Sequence, residues 1–577
     1  MVNIFKRRLT NRTDAIFLLG ITLAILLLLN VLSQLFYTRF DLTSEKKYSL
    51  TPATKKMVRD LKNPVTFKIY LEGDMPAGFK QLRQSTRDLL AELRAYGGRK
   101  IEFEFIDPVT NRSADERKAI MEELLSKGLA PANVQTGKAN EQKLTMVFPC
   151  AIAYYGEREF PIQLLENQIG YSQEQVLNNS SVSLEYKFAN AIQKLTQFRS
   201  PRVAFSNGNG ELSPLQLADL QDQLVKLRYD LTNIDLNKTY KVDSRFDALV
   251  IAKPTLPFTE KEKYQIDQYV MRGGKVLWLI DATTADMDSL KINLAQQMVV
   301  DRDLNLDDQL FKYGVRLNTD LVQDITMCNP IPLVVGQMGS APQTELLPWY
   351  YFPLLVPDSR HPIVRNLDPV AAQFTGTIDT IRNADVNKTI LLRTSDNSKA
   401  QLTPIRVHFG ILQQRPNPVY YNQQKLPVAA LLEGKFASLY TNRMSPEFLA
   451  MSDTVADLKF KEKSVDTKMI VIADGDIARN EVRRDSTAYP LGYYGFTRQT
   501  FANRDFMLNC IQYLVDKSGI LETRNKEVKL RLLNTIRVEN EKVYWQLVNV
   551  AVPILIVVLS GIGFAWWRRR RFAPKGL

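Results

Sequence analysis

Cysteine and histidine are the scarcest chemistry-bearing residues of this 577-residue chain: Cys150, Cys328 and Cys510 stand far apart, and the histidines are His361 and His408. No C-x-x-C occurs, which excludes dithiol redox chemistry and zinc knuckles, and three scattered thiols make no disulfide framework. They read as small buried hydrophobes. A catalytic nucleophile needs a base held beside it, and two lone histidines in the middle region read as surface or packing residues instead. The loop Asn207-Gly208-Asn209-Gly210 lacks the G-x-G-x-x-G spacing of a dinucleotide site and reads as a turn. The acid-rich run of Asp301, Asp303, Asp307 and Asp308 has Leu306 and Lys312 where an EF-hand requires Gly and Glu. No cofactor, metal or catalytic residue is expected, so the chain is read as a non-enzyme that recognises rather than transforms.

Charge is missing from two long stretches. Residues 543–567 carry none, have Tyr544, Trp545, Trp566 and Trp567 at their ends, and run into four arginines at 568–571 with Lys575 beyond. About 20 apolar residues span a bilayer as a helix, interfacial aromatics mark its ends, and such a basic cluster stays in the cytoplasm. A buried core helix of this length would carry a polar stripe. Residues 15–38 are also uncharged and follow Lys6, Arg7, Arg8 and Arg12. The rival reading is a cleaved signal peptide, but no small-residue cleavage site follows, so an uncleaved anchor is expected. The basic tails, 1–14 and 568–577, are then cytoplasmic at an inner membrane, and the bulk is periplasmic. Of the net charge of +13, residues 1–13 carry +4 and residues 568–577 carry +5, leaving +4 for everything else. The high pI is therefore not a nucleic-acid surface; the tails suit anionic lipid headgroups instead.

Between the spans the length is ample for two or three domains. Residues 39–170 begin with a helix start at Thr51-Pro52, then alternate as β-α-β-α-β-β, the order of thioredoxin-like domains. Asp74-Met75-Pro76-Ala77 occupies the place where such a domain would carry C-x-x-C. A linking helix is expected over 171–200. In 201–284, buried strands at 246–252 (FDALVIA) and 275–281 (KVLWLID) alternate with helices, which implies a parallel sheet covered on both faces. Residues 285–465 read as a β-rich insertion or lobe, with strands at 389–393, 405–409 and 427–432 and a long Pro- and Gly-rich loop at 327–349. Residues 466–520 return to the sheet through KMIVIA at 468–473. An amphipathic stalk at 521–542 leads into the last span. Gly20 with Ala24, and Gly561 with Ala565, place small residues one turn apart, a spacing that allows close helix contact with each other or with a permease; a homo-oligomer is a further expectation.

Several stretches carry a resemblance: DLTSEKKYSLTPATKKMV at 41–58, FDALVIAKPTLPFTEKEKYQIDQYVMRGGKVLWLID at 246–281, LFKYGVRLNTDLVQD at 310–324 and PLGYYGFTRQTFANRDFMLNCIQYLVD at 490–516. In these the chain resembles the GldG family, the gliding-motility-associated auxiliary or substrate-binding components of bacterial ABC transporters. The resemblance implies a partner permease, a cytoplasmic ATPase and a link to gliding in Bacteroidota. It also implies an α/β domain related to one in intraflagellar transport proteins and, more distantly, an amidotransferase-like or flavodoxin-like fold. It carries over no catalytic residue. A scaffold of a gliding or secretion machine without transport, and an amidotransferase-like hydrolase, are the alternative readings.

Ligands of parallel α/β sheets bind beyond the carboxyl ends of the strands. If the sheet is one unit, Asn207, Asn209, Glu211, Asp281, Asp474 and Asp476 gather at that edge, where they would bind a partner loop or a small polar ligand. The plainer alternative makes them loop formers and helix caps.

Overall fold

The computed structural model describes residues 12–35, 49–108, 113–136, 143–166, 172–292, 296–338, 341–358, 361–413, 415–444, 459–483, 487–516, 518–525 and 535–572. Residues 1–526 form one compact unit and residues 527–577 another. The basic tails up to residue 11 and from residue 573, and residues 526–534 of the expected stalk, lie outside the described residues. Helix α1 (Arg12–Leu35) carries the first uncharged stretch, with Phe17, Leu23 and Leu27 exposed.

Helix α2 (Pro52–Arg59) starts where expected, its Thr51 side chain accepting the Thr54 N–H. Then follow β1 (Val65–Ile69), α3 (Ala77–Gly97), β2 (Ile101–Phe105), α4 (Ala114–Ser126), β3 (Ala132–Thr136), β4 (Lys143–Val147), β5 (Cys150–Tyr155), β6 (Arg158–Gln163) and α5 (Gln173–Thr196). The sheet order is β2-β1-β5-β6. β1 and β2 are parallel, whereas β5 runs antiparallel to both β1 and β6. Successive strand residues face opposite sides, and β5 shows the consequence. Its Ala151 and Ala153 join a core with Phe79 and Leu82 of α3 and Leu184 and Phe188 of α5. Its Cys150 and Ile152 join another with Leu124 of α4. The helix expected as a linker is thus α5, seated in this core by an edge-to-face contact of Phe188 on Phe67, centroids 5.1 Å apart.

The second sheet takes in β7 (Arg202–Asn207), β8 (Asp230–Asp235), β9 (Ala248–Ala252) and β10 (Val276–Leu279), with helices α6 (Ala218–Lys226) and α7 (Glu260–Met271) between them. Further along come α8 (Met287–Ile292), β11 (Gln296–Val299), α9 (Asp307–Tyr313), β12 (Val315–Leu317), β13 (Asp320–Asp324), β14 (Cys328–Met338), β15 (Ala341–Pro357), β16 (Val370–Ala371) and β17 (Ile378–Thr380). The unit closes with β18 (Val386–Arg393), β19 (Ser398–Leu402), β20 (Ile405–His408), β21 (Pro427–Gly434), β22 (Thr467–Ile472) and α10 (Asn503–Val515). The main sheet runs β14-β15-β18-β21-β22-β10-β9-β7-β8. From β22 to β8 all pairings are parallel; from β22 to β14 all are antiparallel. β9, β10 and most of β22 are buried on both faces, which is why they read as unbroken apolar runs. One hydrophobic core runs through both halves, from Val203 and Val250 to Ile470, Leu431 and Leu392. Four strands of the expected β-rich insertion, β14, β15, β18 and β21, therefore extend this same sheet.

The expected long loop at 327–349 is instead a hairpin of β14 and β15, with Pro330 opposite Pro348 and irregular register beside Pro330 and Gly336. Proline donates no ladder hydrogen bond and is tolerated at edges and bulges. The hairpin lies at the end of the sheet, so its prolines are compatible with strand. Strand pairs β11/β20, β12/β17 and β13/β19 form separate two-stranded sheets; β12 and β17 join the main core, whereas Val299 of β11, Leu321 of β13 and Val407 of β20 join a smaller core with Trp349 and Phe374.

Helix α11 (Thr535–Phe572) forms the second unit, with Pro553 inside it. Within its segment 541–570 an 18-residue window has a mean hydropathy of 2.4, and none of that window is buried by protein. At 1.5 Å per residue, 20 to 30 such residues reach about 30 to 45 Å, enough for a bilayer core. This helix and the shorter apolar stretch of α1 are consistent with membrane association.

Candidate functional site

The parallel strands deliver charged residues to their carboxyl ends. Lys253 follows β9, Asp281 follows β10 and Asp474 follows β22. Lys253 has a left-handed backbone, φ +55°, and its buried ammonium lies 2.5 Å from Asp476 and 3.3 Å from Asp281. Asp281 Oδ1 accepts the Gly475 N–H at 2.6 Å. Asp474 accepts two backbone N–H groups, from Gln373 and Asp476, both at 2.7 Å. Gly475 has to be glycine for a packing reason: a Cβ there would meet the Lys253 side chain at 2.5 Å. Arg479 caps the cluster, 3.4 Å from Asp476 and 3.7 Å from Asp288.

Burial governs the electrostatics. It raises Asp474 well above the carboxylate range, with Asp476 and Asp281 adding to the effect. It raises Asp281 too, against the pull of Lys253. Burial by itself would lower Lys253, but the carboxylates of Asp281 and Asp476 outweigh it and hold the ammonium above its usual value. Carboxylate oxygens of Asp281, Asp474 and Asp476 lie within 4.8 Å of one another, a spacing that could hold a metal ion. Lys253 already supplies a cation to two of them.

The three remaining residues of the expected edge sit apart from this cluster. Asn207, at the end of β7, is exposed. Asn209 is buried, and its backbone carbonyl accepts from the N–H groups of Thr255 and Leu256 at 2.8 and 2.9 Å. Glu211 Oε2 accepts the Asn209 N–H at 2.8 Å. These contacts clamp the β7–α6 loop to the turn before α7. The structure thus gathers five of the six expected residues into two groups, one around Lys253 and one around Asn209, and leaves Asn207 exposed at the strand end.

A cavity of about 600 Å³ opens beside the Lys253 group, lined by Phe352, Phe409, Tyr494 and Phe496 and by polar Arg479, Asn480 and Gln216. Gln373 also lines it while donating its backbone N–H to Asp474. Mostly apolar walls with a few fixed polar groups characterise small-ligand sites. Sequence reading missed Lys253, Arg479 and all four aromatic rings. A lysine directly after a fully buried strand was the available signal for Lys253. The rings come from three separate segments, and only the fold unites them.

Comparison with known proteins adds the following. The model of a family described as an ABC-type uncharacterized transport system matches residues 200–510, more than half of the chain. That of a domain of unknown function (DUF7088) matches residues 44–154. The solved mmIFT52 N-terminal domain is similar over 54% of this chain and 96% of its own, at 14% identity and a TM-score of 0.29. No curated protein matches.

Proposed function

This chain belongs to the ABC-type uncharacterized transport system family, and from that premise we propose that it is the membrane-anchored, extracytoplasmic binding subunit of an ABC transporter complex linked to gliding. It recognises a ligand or partner and performs no chemistry. An auxiliary role in an ABC-type system follows from the family. The observation that carries the binding role is the cavity between the carboxyl ends of the parallel strands and the aromatic side chains of the β-rich part. In this reading α1 and α11 both span the inner membrane, the basic residues flanking them stay in the cytoplasm, and a permease and ATPase complete the assembly. The order β2-β1-β5-β6, with residues 74–77 leading into α3, supports a thioredoxin-like first domain without its dithiol. The gliding link rests on the resemblance of the stretches quoted above.

Extraction of the intact protein in mild detergent, followed by identification of copurifying chains, tests this. A permease and an ATPase are expected; recovery without either overturns the transport reading. Protease added to cells with a permeabilised outer layer should cut within residues 40–540, and full protection would remove the topology. One feature favours a second reading, a scaffold without transport. The β14–β15 hairpin exposes Val334, Val335 and Leu346 near its tip, a surface suited to a protein neighbour. A copurifying surface-machine component in place of the transporter chains would support that reading.

A further inference from the structure

Around Asn209 three buried oxygens have no hydrogen-bond partner among the described residues: Asn209 Oδ1, Glu211 Oε1 and Glu262 Oε1. Glu262 lies in the first turn of α7 and is fully buried. Its other oxygen, Oε2, accepts from the Thr259 N–H at 2.7 Å, the Thr259 hydroxyl at 2.8 Å and Asn209 Nδ2 at 3.4 Å. Asn209 is 3% exposed. Its Nδ2 donates to both Pro257 O, at 3.3 Å, and Glu262 Oε2. Those two acceptors fix the orientation of the amide, because reversing it would set oxygen against oxygen. Oδ1 is thereby left as an acceptor without a donor. Glu211 reaches the same junction through its bond to the Asn209 N–H.

No lysine or arginine among the described residues pairs with either glutamate. The neighbouring ammonium groups are turned elsewhere, Lys261 to Asn237 O and Lys263 to Glu260, Asn305 and Asp308. Buried charges are paired or coordinate metals. Two carboxylates, an amide oxygen and no thiolate or imidazole suit a hard cation. Two glycines with left-handed backbones, Gly208 (φ +116°) and Gly210 (φ +72°), curl the loop closely onto the turn before α7. We propose that Asn209, Glu211 and Glu262 form a binding site for a hard divalent cation, which pins the β7–α6 loop to the start of α7. The site is separate from the Lys253 group and does not depend on the transport reading.

The test uses the full chain in mild detergent, stripped with a chelator and titrated with calcium chloride and, separately, magnesium chloride, followed by calorimetry and thermal unfolding. Saturable binding of one ion per chain is expected, with a Tm that rises with ion concentration. Glu262→Gln and Glu211→Gln should each weaken binding about tenfold or more, since affinity follows the charge of the ligand set. Glu211→Gln keeps an oxygen to accept the Asn209 N–H, so its folding is preserved. Absence of both heat and Tm shift with either ion overturns the proposal. Binding that both variants leave unchanged also overturns it. In either case a bound water accounts for the orphaned oxygens.

Discussion

Two groups of carboxylates lie at the carboxyl edge of the same sheet, and they satisfy burial in opposite ways. Asp281 and Asp476 share the ammonium of Lys253, and Asp476 also meets Arg479. Glu211 and Glu262 have hydrogen bonds to one oxygen each and no cationic side chain among the described residues. A carboxylate that carries its own counter-ion in the chain is structural by default, because the pair needs nothing from outside. One that lacks it either takes a cation from solution or carries a proton. The difference separates parts of one edge that look alike in sequence: both are short loops rich in Asp, Asn, Glu and Gly.

The largest effect that could break this comparison is loss of the lysine. Lys253→Met keeps much of the side-chain volume and removes the charge, stranding Asp281 and leaving Asp476 with Arg479 alone. Removing one partner of a buried ion pair typically destabilises by about 3–5 kcal/mol. Denaturant unfolding of the full chain in detergent should show a loss of that order. A loss below about 1 kcal/mol would mean that the group is solvated and the comparison false.

An intermediate effect is expected at Asp474. Asp474→Asn retains one acceptor oxygen but turns an NH₂ toward one of the two backbone N–H donors, an unsatisfied pairing that costs about 1–3 kcal/mol. Its pH dependence carries a sign. The folded Asp474 holds its proton to higher pH than the unfolded chain does, where the ordinary value is 3.8. From there upward the native state binds more protons, so stability falls as pH rises through the folded value. The asparagine variant lacks this fall. Its deficit relative to wild type should therefore be greatest in acid and shrink toward neutrality. Lys253 acts in a different window: its contribution is complete below 10.5 and is lost only as pH rises through its raised folded value. A deficit in Asp474→Asn that grows with pH would contradict the burial argument.

How much of this could be read from sequence depended on whether the signal was local. FDALVIA, KVLWLID and KMIVIA were legible as strands because both faces of their cores are covered and no polar residue interrupts the runs 248–252, 276–280 and 469–473. The candidate edge was legible in outline, since residues that follow such strands must lie at their carboxyl ends. Its division was not, because Asn209 chooses partners across the sheet from a turn 46–53 residues on, at Thr255, Pro257 and Glu262. The hairpin of β14 and β15 was hidden by its prolines, which local rules count against strand and an edge position permits. Lys253 was not legible as a partner of the acids because its two carboxylates, Asp281 and Asp476, come from later segments of the chain. The cavity depends on Phe352, Phe409, Tyr494 and Phe496 meeting in space, and no spacing along the chain encodes that.

The smallest effect sharpens the comparison most. With chelator present, Glu262→Gln replaces a fully buried group that lacks a cationic partner by a neutral isostere. Its oxygen can still accept from Thr259, and its NH₂ can donate toward the orphaned Asn209 Oδ1. Replacing an uncompensated charge in this way removes a desolvation penalty, so stability should stay within about 1 kcal/mol of wild type or rise. Saturating divalent ion should reverse the order, because wild type gains binding energy that the variant has largely lost. Unfolding curves of the two proteins, with and without the ion, therefore cross in rank at Glu262, whereas Lys253→Met stays the less stable protein under both conditions. If Glu262→Gln instead lost several kcal/mol in chelator, the Glu262 carboxylate would have to be compensated within the fold, and the two groups of acids would be alike.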